Sequence, residues 1–271
     1  MKLIIKTGSL FFFVCMLTAC TKVITLNLNN SSPKYVVEGT ITDSIGTAKV
    51  LISQTKDFYA SNAFVGVTGA VVTITSDGGV VTTLAATDSG VYTAPLLTGQ
   101  QNHTYVLNVL VAGQTFTATS TMPAKVSFDS LFITLNPTFG STKKVANIQY
   151  QDPPGKGNSY RAIEYVNSFQ QQTIFVNNDD FTDGNKVIAP LNIFGGDNDS
   201  LSNKKINTGD TVKIDFQCID KNVYEYWFSL DQSSTGSSQS AAPGNPVTNM
   251  QGGALGYFSA NTLQSRSVVA Q

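Results

Sequence analysis

Few side chains in this sequence are equipped for covalent or metal chemistry, and their spacing matches no known catalytic set. His103 is the sole histidine, so Ser-His-Asp or Cys-His catalysis would have to use it. It stands beside Asn102 at the start of a β-type run, and the chain contains no Gly-x-Ser-x-Gly elbow. An exposed or turn-lining histidine fits better than a general base. One histidine and one unpaired cysteine cannot fill a four-ligand zinc site without two carboxylates. Gly155-Lys156-Gly157 lacks the Ser/Thr and the strand-loop-helix setting of a phosphate loop, and Gly252 to Gly256 lacks a following helix.

Oxygen ligands are better represented. Asn178, Asp179, Asp180, Asp183 and Gly184 form one acidic loop, and Asp197, Asn198 and Asp199 form another. Calcium takes six to eight oxygens, so either loop would need carbonyls or help from the other. Asp and Asn also dominate ordinary turns, because their side chains bond the local backbone. Asp179, Asp180, Asp183, Asp197 and Asp199 are therefore calcium candidates that the turn reading outweighs, and no metal or cofactor is expected. The three glutamates, Glu38, Glu164 and Glu225, define no glycosidase pair at this level. Tyr165, Tyr224 and Trp227 are candidate ligand-binding residues for a sugar-stacking surface, with Tyr226 beside them. A helix face packed on a sheet explains Tyr226 and Trp227 more simply.

The elements that would carry these residues are mostly strands. Only 13% of residues are charged and the net charge is −1, which suits neither phosphate neutralisation nor nucleic-acid binding. Short β runs separated by turn signals begin at Tyr35–Thr42 and Lys49–Ser53. Ala70–Thr75 and Val80–Leu84 flank Asp77-Gly78-Gly79 and read as a hairpin. His103–Val109 and Gln114–Thr119 flank Ala112-Gly113, and Met122-Pro123 closes this set, since Pro cannot donate to a ladder. The texture predicts an antiparallel sandwich over residues 34–124. A second β-rich, sandwich-like domain is expected over 125–271, with strands near Val126–Leu135, Val145–Tyr150, Tyr160–Asn167, Thr173–Asn177, Val187–Ile193 and Thr211–Asp220. One helix is expected over Lys221 to about Gln232, capped by Asp220, with Val223, Tyr226, Trp227 and Leu230 on one face. The fold class is mainly β. Cys218 alternates in phase with Val212, Ile214 and Phe216 and reads as a small buried hydrophobe.

The amino terminus has a secretory layout: Lys2 and Lys6, an unbroken apolar run over Leu10–Leu17, then small residues before a cysteine. The run is too short for a spanning helix, which needs about 20 residues. Leu17-Thr18-Ala19-Cys20 resembles a bacterial lipobox, which implies cleavage after residue 19 and acylation of Cys20. Acyl chains add about 0.8 kcal/mol per buried methylene, so lipidation would hold the chain at a membrane. Residues 20–33 then form a polar tether, and Cys218 is left without a disulfide partner. Thr21 stands where an Asp is associated with inner-membrane retention, so the analogy favours the outer membrane and leaves its face open.

Two further resemblances concern the folded part. Gly69-Ala70-Val71-Val72-Thr73-Ile74, Asp77-Gly78-Gly79, Asp88-Ser89-Gly90-Val91-Tyr92 and Thr104-Tyr105-Val106-Leu107 resemble prealbumin-like or carboxypeptidase-regulatory-like sandwich modules. These are scaffold marks and imply no chemistry. The whole chain resembles an uncharacterised family of Bacteroidetes lipoproteins described as a domain of unknown function. The residues concerned are Cys20, Tyr35–Gly39, Val67–Ala70, Thr119–Pro123, Gly209–Val212, Ile219-Asp220 with Tyr224–Trp227, and Asn245-Pro246 through Gly256–Ala260. That resemblance implies association with TonB-dependent outer-membrane transporters and carries no catalytic residue. The expectation is a non-enzymatic, lipid-anchored envelope protein for interaction or ligand capture beside such a transporter. A glycan-binding surface lipoprotein and a hydrolase of unrecognised type are the alternatives.

Overall fold

Alternation of apolar and polar side chains builds this fold. In Thr104–Val111, Tyr105, Leu107, Val109 and Val111 are buried while Val106, Asn108 and Leu110 face out, the period-two signature of a half-buried strand. The computed structural model describes residues 32–56, 61, 63–138, 141–191, 204–234 and 244–271. Cys20 with the expected leader, and Asp197 and Asp199, lie outside them.

The first strands are β1 (Tyr35–Thr42), β2 (Ala48–Gln54), β3 (Val71–Ser76), β4 (Val81–Thr83), β5 (Ala85–Asp88) and β6 (Val91–Ala94). Next come β7 (Thr104–Val111), β8 (Gln114–Thr121), β9 (Phe128–Thr138), β10 (Ser141–Gln151), β11 (Ser159–Val166) and β12 (Phe169–Gln170). The chain continues through β13 (Phe175–Asn178), β14 (Lys186–Pro190), β15 (Thr211–Cys218), the helix α1 (Lys221–Ser234), β16 (Met250–Gln251) and β17 (Leu255–Val269). The mainly β class, with one helix among the described residues, is as the sequence predicts. The two hairpins also form at the predicted turns, β3 with β4 and β7 with β8. At the second, Ala112 (φ 48°) and Gly113 (φ 75°) both adopt positive φ, the backbone that a two-residue hairpin turn demands.

Two features go beyond the expected antiparallel sandwich followed by a β-rich, sandwich-like domain. A nine-stranded sheet runs β12-β11-β15-β17-β1-β2-β6-β5, with β13 also on β11. It crosses the expected boundary at residues 124/125 because β17 is shared. Residues 255–261 of β17 pair with β1, and residues 262–269 pair with β15. The β1–β17 pairing is parallel and sets the last described strand beside the first described one. Fifteen residues extend about 50 Å, enough to line both halves.

Two smaller sheets lie against one face of this long sheet: β16-β8-β7-β3-β4 and β14-β10-β9. The first core holds Val37, Ile41, Val50, Ile52, Leu107, Phe116 and, from the far end of the chain, Phe258 and Ala260. The second holds Phe128, Tyr150, Tyr160, Val212, Ile214, Phe216 and Cys218. Its rings pack closely, with Tyr150–Tyr160 centroids at 4.6 Å and Tyr150–Phe216 at 5.0 Å. Each fully buried large apolar side chain contributes about 1.5–3 kcal/mol. Cys218 is a buried free thiol that accepts the Val126 N–H at 3.3 Å, and burial pushes it above its usual range. Even-numbered residues of β17 therefore face the cores, and odd-numbered ones face the other side of the sheet.

Candidate functional site

That other side is where unusual polar groups collect. β1 contributes Glu38, β11 contributes Arg161 and Tyr165, β15 contributes Lys213, Asp215 and Gln217, and β17 contributes Tyr257, which pairs in register with Glu38. α1 lies over this face. Asp220 caps it, its Oδ1 accepting the Val223 N–H at 2.9 Å. Val223 and Tyr226 are buried beneath it.

An aromatic cluster ties the helix to the sheet. Tyr226 and Tyr257 stand 4.7 Å apart, Trp227 and Tyr257 5.1 Å, and Tyr226 and Trp227 5.4 Å in an edge arrangement. The Arg161 guanidinium carbon lies 3.5 Å from the centre of the Trp227 ring, a cation–π stack. Desolvation lowers the Arg161 pKa, while the surrounding Tyr257, Tyr165, Tyr226 and Glu38 oppose that. Glu38 is an exposed residue by surface area, yet desolvation beside the ring cluster raises its pKa against the pull of Arg161. Arg161 donates one long hydrogen bond, 3.4 Å to Gln217 Oε1. The Trp227 indole N–H is buried without an acceptor among the described residues.

Of the expected ligand-binding residues, Tyr165 and Trp227 reach this face. Tyr165 lies with the Lys213 ammonium 4.6 Å from its ring centre, and Lys213 pairs with Asp215 at 3.1 Å. Tyr224 is directed elsewhere on the helix, stacked on Phe228 at 5.7 Å. Phe228 is 46% exposed and Phe181 96% exposed. Tyr224 feels the charge of Asp180, the neighbour of Phe181. The three glutamates do not converge: Glu38 and Glu164 occupy opposite faces of the sheet, and Glu225 pairs with Lys221 at 3.7 Å on the helix.

The acidic loop is brought to order by a residue that spacing did not single out. Asp179 and Asp183 gather with Asp152, their ligand atoms within 4.8 Å of one another. Each already accepts donors. Asp179 takes the N–H groups of Gly157 (2.8 Å) and Asn158 (2.9 Å), Asp183 takes that of Gly155 at 2.7 Å, and Asp152 takes the Tyr160 hydroxyl and the Gly184 N–H. Burial raises the Asp179 pKa, but those donors outweigh it and hold the carboxyl below its usual range. The arrangement latches the Pro153–Asn158 loop. A hard cation there would have to displace these donors to collect its oxygens. Asp180 stands apart, accepting the Asn178 amide at 2.6 Å.

His103 has a similar bracing role, its Nδ1 2.7 Å from Asp77 at the β3–β4 turn. Arg161, Glu38, Tyr257 and Asp152 were not singled out as a site from sequence. A usable signal existed for one of them: the chain has only two arginines, Arg161 and Arg266, and Arg161 interrupts a strand between two tyrosines.

Fold and site together define a β-rich layered protein whose single described helix builds a cation-and-aromatic patch on the outer sheet face. Residues 21–267 match the family described as Domain of unknown function (DUF4249), and the chain belongs to that family. No curated protein matches it.

Proposed function

We propose that this is a non-enzymatic, lipid-anchored cell-envelope protein that binds partners or ligands beside a TonB-dependent outer-membrane transporter. The lipobox at Cys20 supports the anchor, and the family match begins at the next residue. Among the described residues no helix is long and apolar enough to cross a membrane. The observation that carries the interaction role is the aromatic ridge of Tyr224 and Phe228, with Phe181 nearby in the chain from Asp180. A fully exposed Phe forgoes about 1.5–3 kcal/mol of burial, and aromatic residues are enriched at protein interfaces.

Affinity purification from native envelope membranes tests this reading. The expected result is an outer-membrane transporter recovered with the wild type and depleted with a Phe181→Ser/Phe228→Ser variant; a lone, partnerless monomer overturns it. Replacement Cys20→Ser should move the protein to the soluble fraction, and continued sedimentation with membranes removes the anchor.

The stacked Tyr224–Phe228 pair also favours a second reading, a platform for sugar faces. Glycan-array binding lost on Phe228→Ala would support it. Trp227 is the wrong residue for that test, since it packs against Tyr257 and Arg161.

A further inference from the structure

Arg161 and Glu38 carry opposite charges on one sheet face, sense each other electrostatically, and form no ion pair. The rings that neighbour them form one cluster: Trp227 carries the Arg161 guanidinium, Tyr257 is the register partner of Glu38, and Tyr226 and Trp227 both contact Tyr257. A guanidinium presents five N–H donors in a planar fork. Stacking on Trp227 satisfies its face and fixes its plane, but leaves the edge with a single 3.4 Å acceptor, Gln217. Among the described residues no carboxylate pairs with it. The Trp227 indole N–H beside it also lacks an acceptor, and Glu38 makes no hydrogen bond or ion pair with any described residue. A buried donor without an acceptor, next to a guanidinium edge with one long bond, calls for an unseen partner. Two neighbouring donors ask for an anionic group, and the free carboxylate across the rings asks for a cationic one.

We propose that this face binds a small zwitterion, an amino acid or short peptide, whose carboxylate lies on Arg161 and whose ammonium group faces Glu38. The carbon skeleton would lie against the half-buried rings of Tyr257 and Trp227, with the buried Tyr226 backing them. Such rings contribute apolar contact at low cost in side-chain order, and the stacked arginine is pre-organised for a bidentate carboxylate. The proposal rests on the ligand-capture part of the reading above and is independent of the transporter.

Calorimetric titration of the full chain in detergent tests it, using free L-amino acids and dipeptides as probes. Acetate, methylammonium, N-acetylated and C-amidated analogues and inorganic phosphate serve as comparison arms. At least one zwitterion should bind, with affinity at least tenfold weaker for every analogue lacking either charge. Glu38→Gln and Arg161→Gln should each weaken it tenfold or more. Should Arg161→Gln fail to fold, Arg161→Lys keeps the charge without the fork, and the exposed Glu38→Gln still decides the ammonium end. No zwitterion binding at millimolar concentration overturns the proposal. So does binding of acetate or phosphate that matches the zwitterions and ignores Glu38→Gln. A transporter recovered without zwitterion binding overturns this inference alone; zwitterion binding without a transporter upholds it and counts against the accessory role.

Discussion

Ser120 and Asp220, one hundred residues apart, are joined side chain to side chain: the Ser120 hydroxyl donates to Asp220 Oδ2. The same oxygen accepts the Thr121 N–H at 3.1 Å, while Oδ1 caps α1 through Val223. Ser120 Oγ in turn accepts the Ala260 N–H at 2.9 Å. One carboxylate thus starts the helix, fixes it to β8 and, through Ser120, touches β17. Because α1 carries Trp227, the patch around Arg161 depends on it.

Replacing Asp220 by Ala should remove a cap worth about 0.5–2 kcal/mol and leave the buried Ser120 hydroxyl short of an acceptor, a further cost of roughly 1–3 kcal/mol. Urea unfolding should show a loss of that combined order, with Ser120→Ala costing less. A change within error would mean the link holds nothing.

Glu164 should make stability depend on pH. It is 1% exposed, faces the second core, and neither carboxylate oxygen has a partner among the described residues. Burial pushes its pKa from 4.5 up to about 7. The folded state therefore holds the proton more tightly than the unfolded chain. Its favourable contribution is complete below pH 4.5 and is lost as pH rises through about 7, a difference on the order of 3 kcal/mol. Glu164→Gln should flatten that slope in chemical denaturation at pH 5 and pH 8; an unchanged slope refutes it.

Asp179 should act with the opposite sign. Its carboxyl is held below the usual range by backbone donors, so its contribution is present above an ordinary aspartate pKa and lost as acid protonates it. Asp179→Asn, which turns an amide donor towards other donors, should cost roughly 1–3 kcal/mol. Faster amide exchange at Gly157 and Asn158 would report the unlatched loop, and retained protection would contradict the assignment.

Gly256 should tolerate no side chain. It has φ 96°, and an added Cβ would sit 2.0 Å from the Val37 carbonyl oxygen across the parallel pair. Gly256→Ala combines a positive-φ penalty of about 1–2 kcal/mol with a clash of roughly 1–3 kcal/mol. Gly253, at φ 91° with nothing within 4 Å, should show only the first part. Equal melting temperatures for the two variants would argue against the close approach of β1 and β17.

Much of this architecture is local, and so was readable from sequence. Asp77-Gly78-Gly79 and Ala112-Gly113 specify tight turns, the alternation of Tyr105, Leu107, Val109 and Val111 specifies a half-buried strand, and Asp220 before Val223 specifies a helix start, because each rests on backbone preference within a few residues. The pairing of β17 with β1 rests on contacts more than two hundred residues apart, which no local pattern encodes. The same holds for the site. Composition already made triads and zinc sets poor fits, and it marked Trp227, Tyr165 and the Asp179–Asp183 loop. Only packing could bring Arg161 under the helix, set Glu38 beside Tyr257, draw Asp152 to Asp179 and turn Glu164 inward, since which face a strand residue meets is settled by what the sheet packs against.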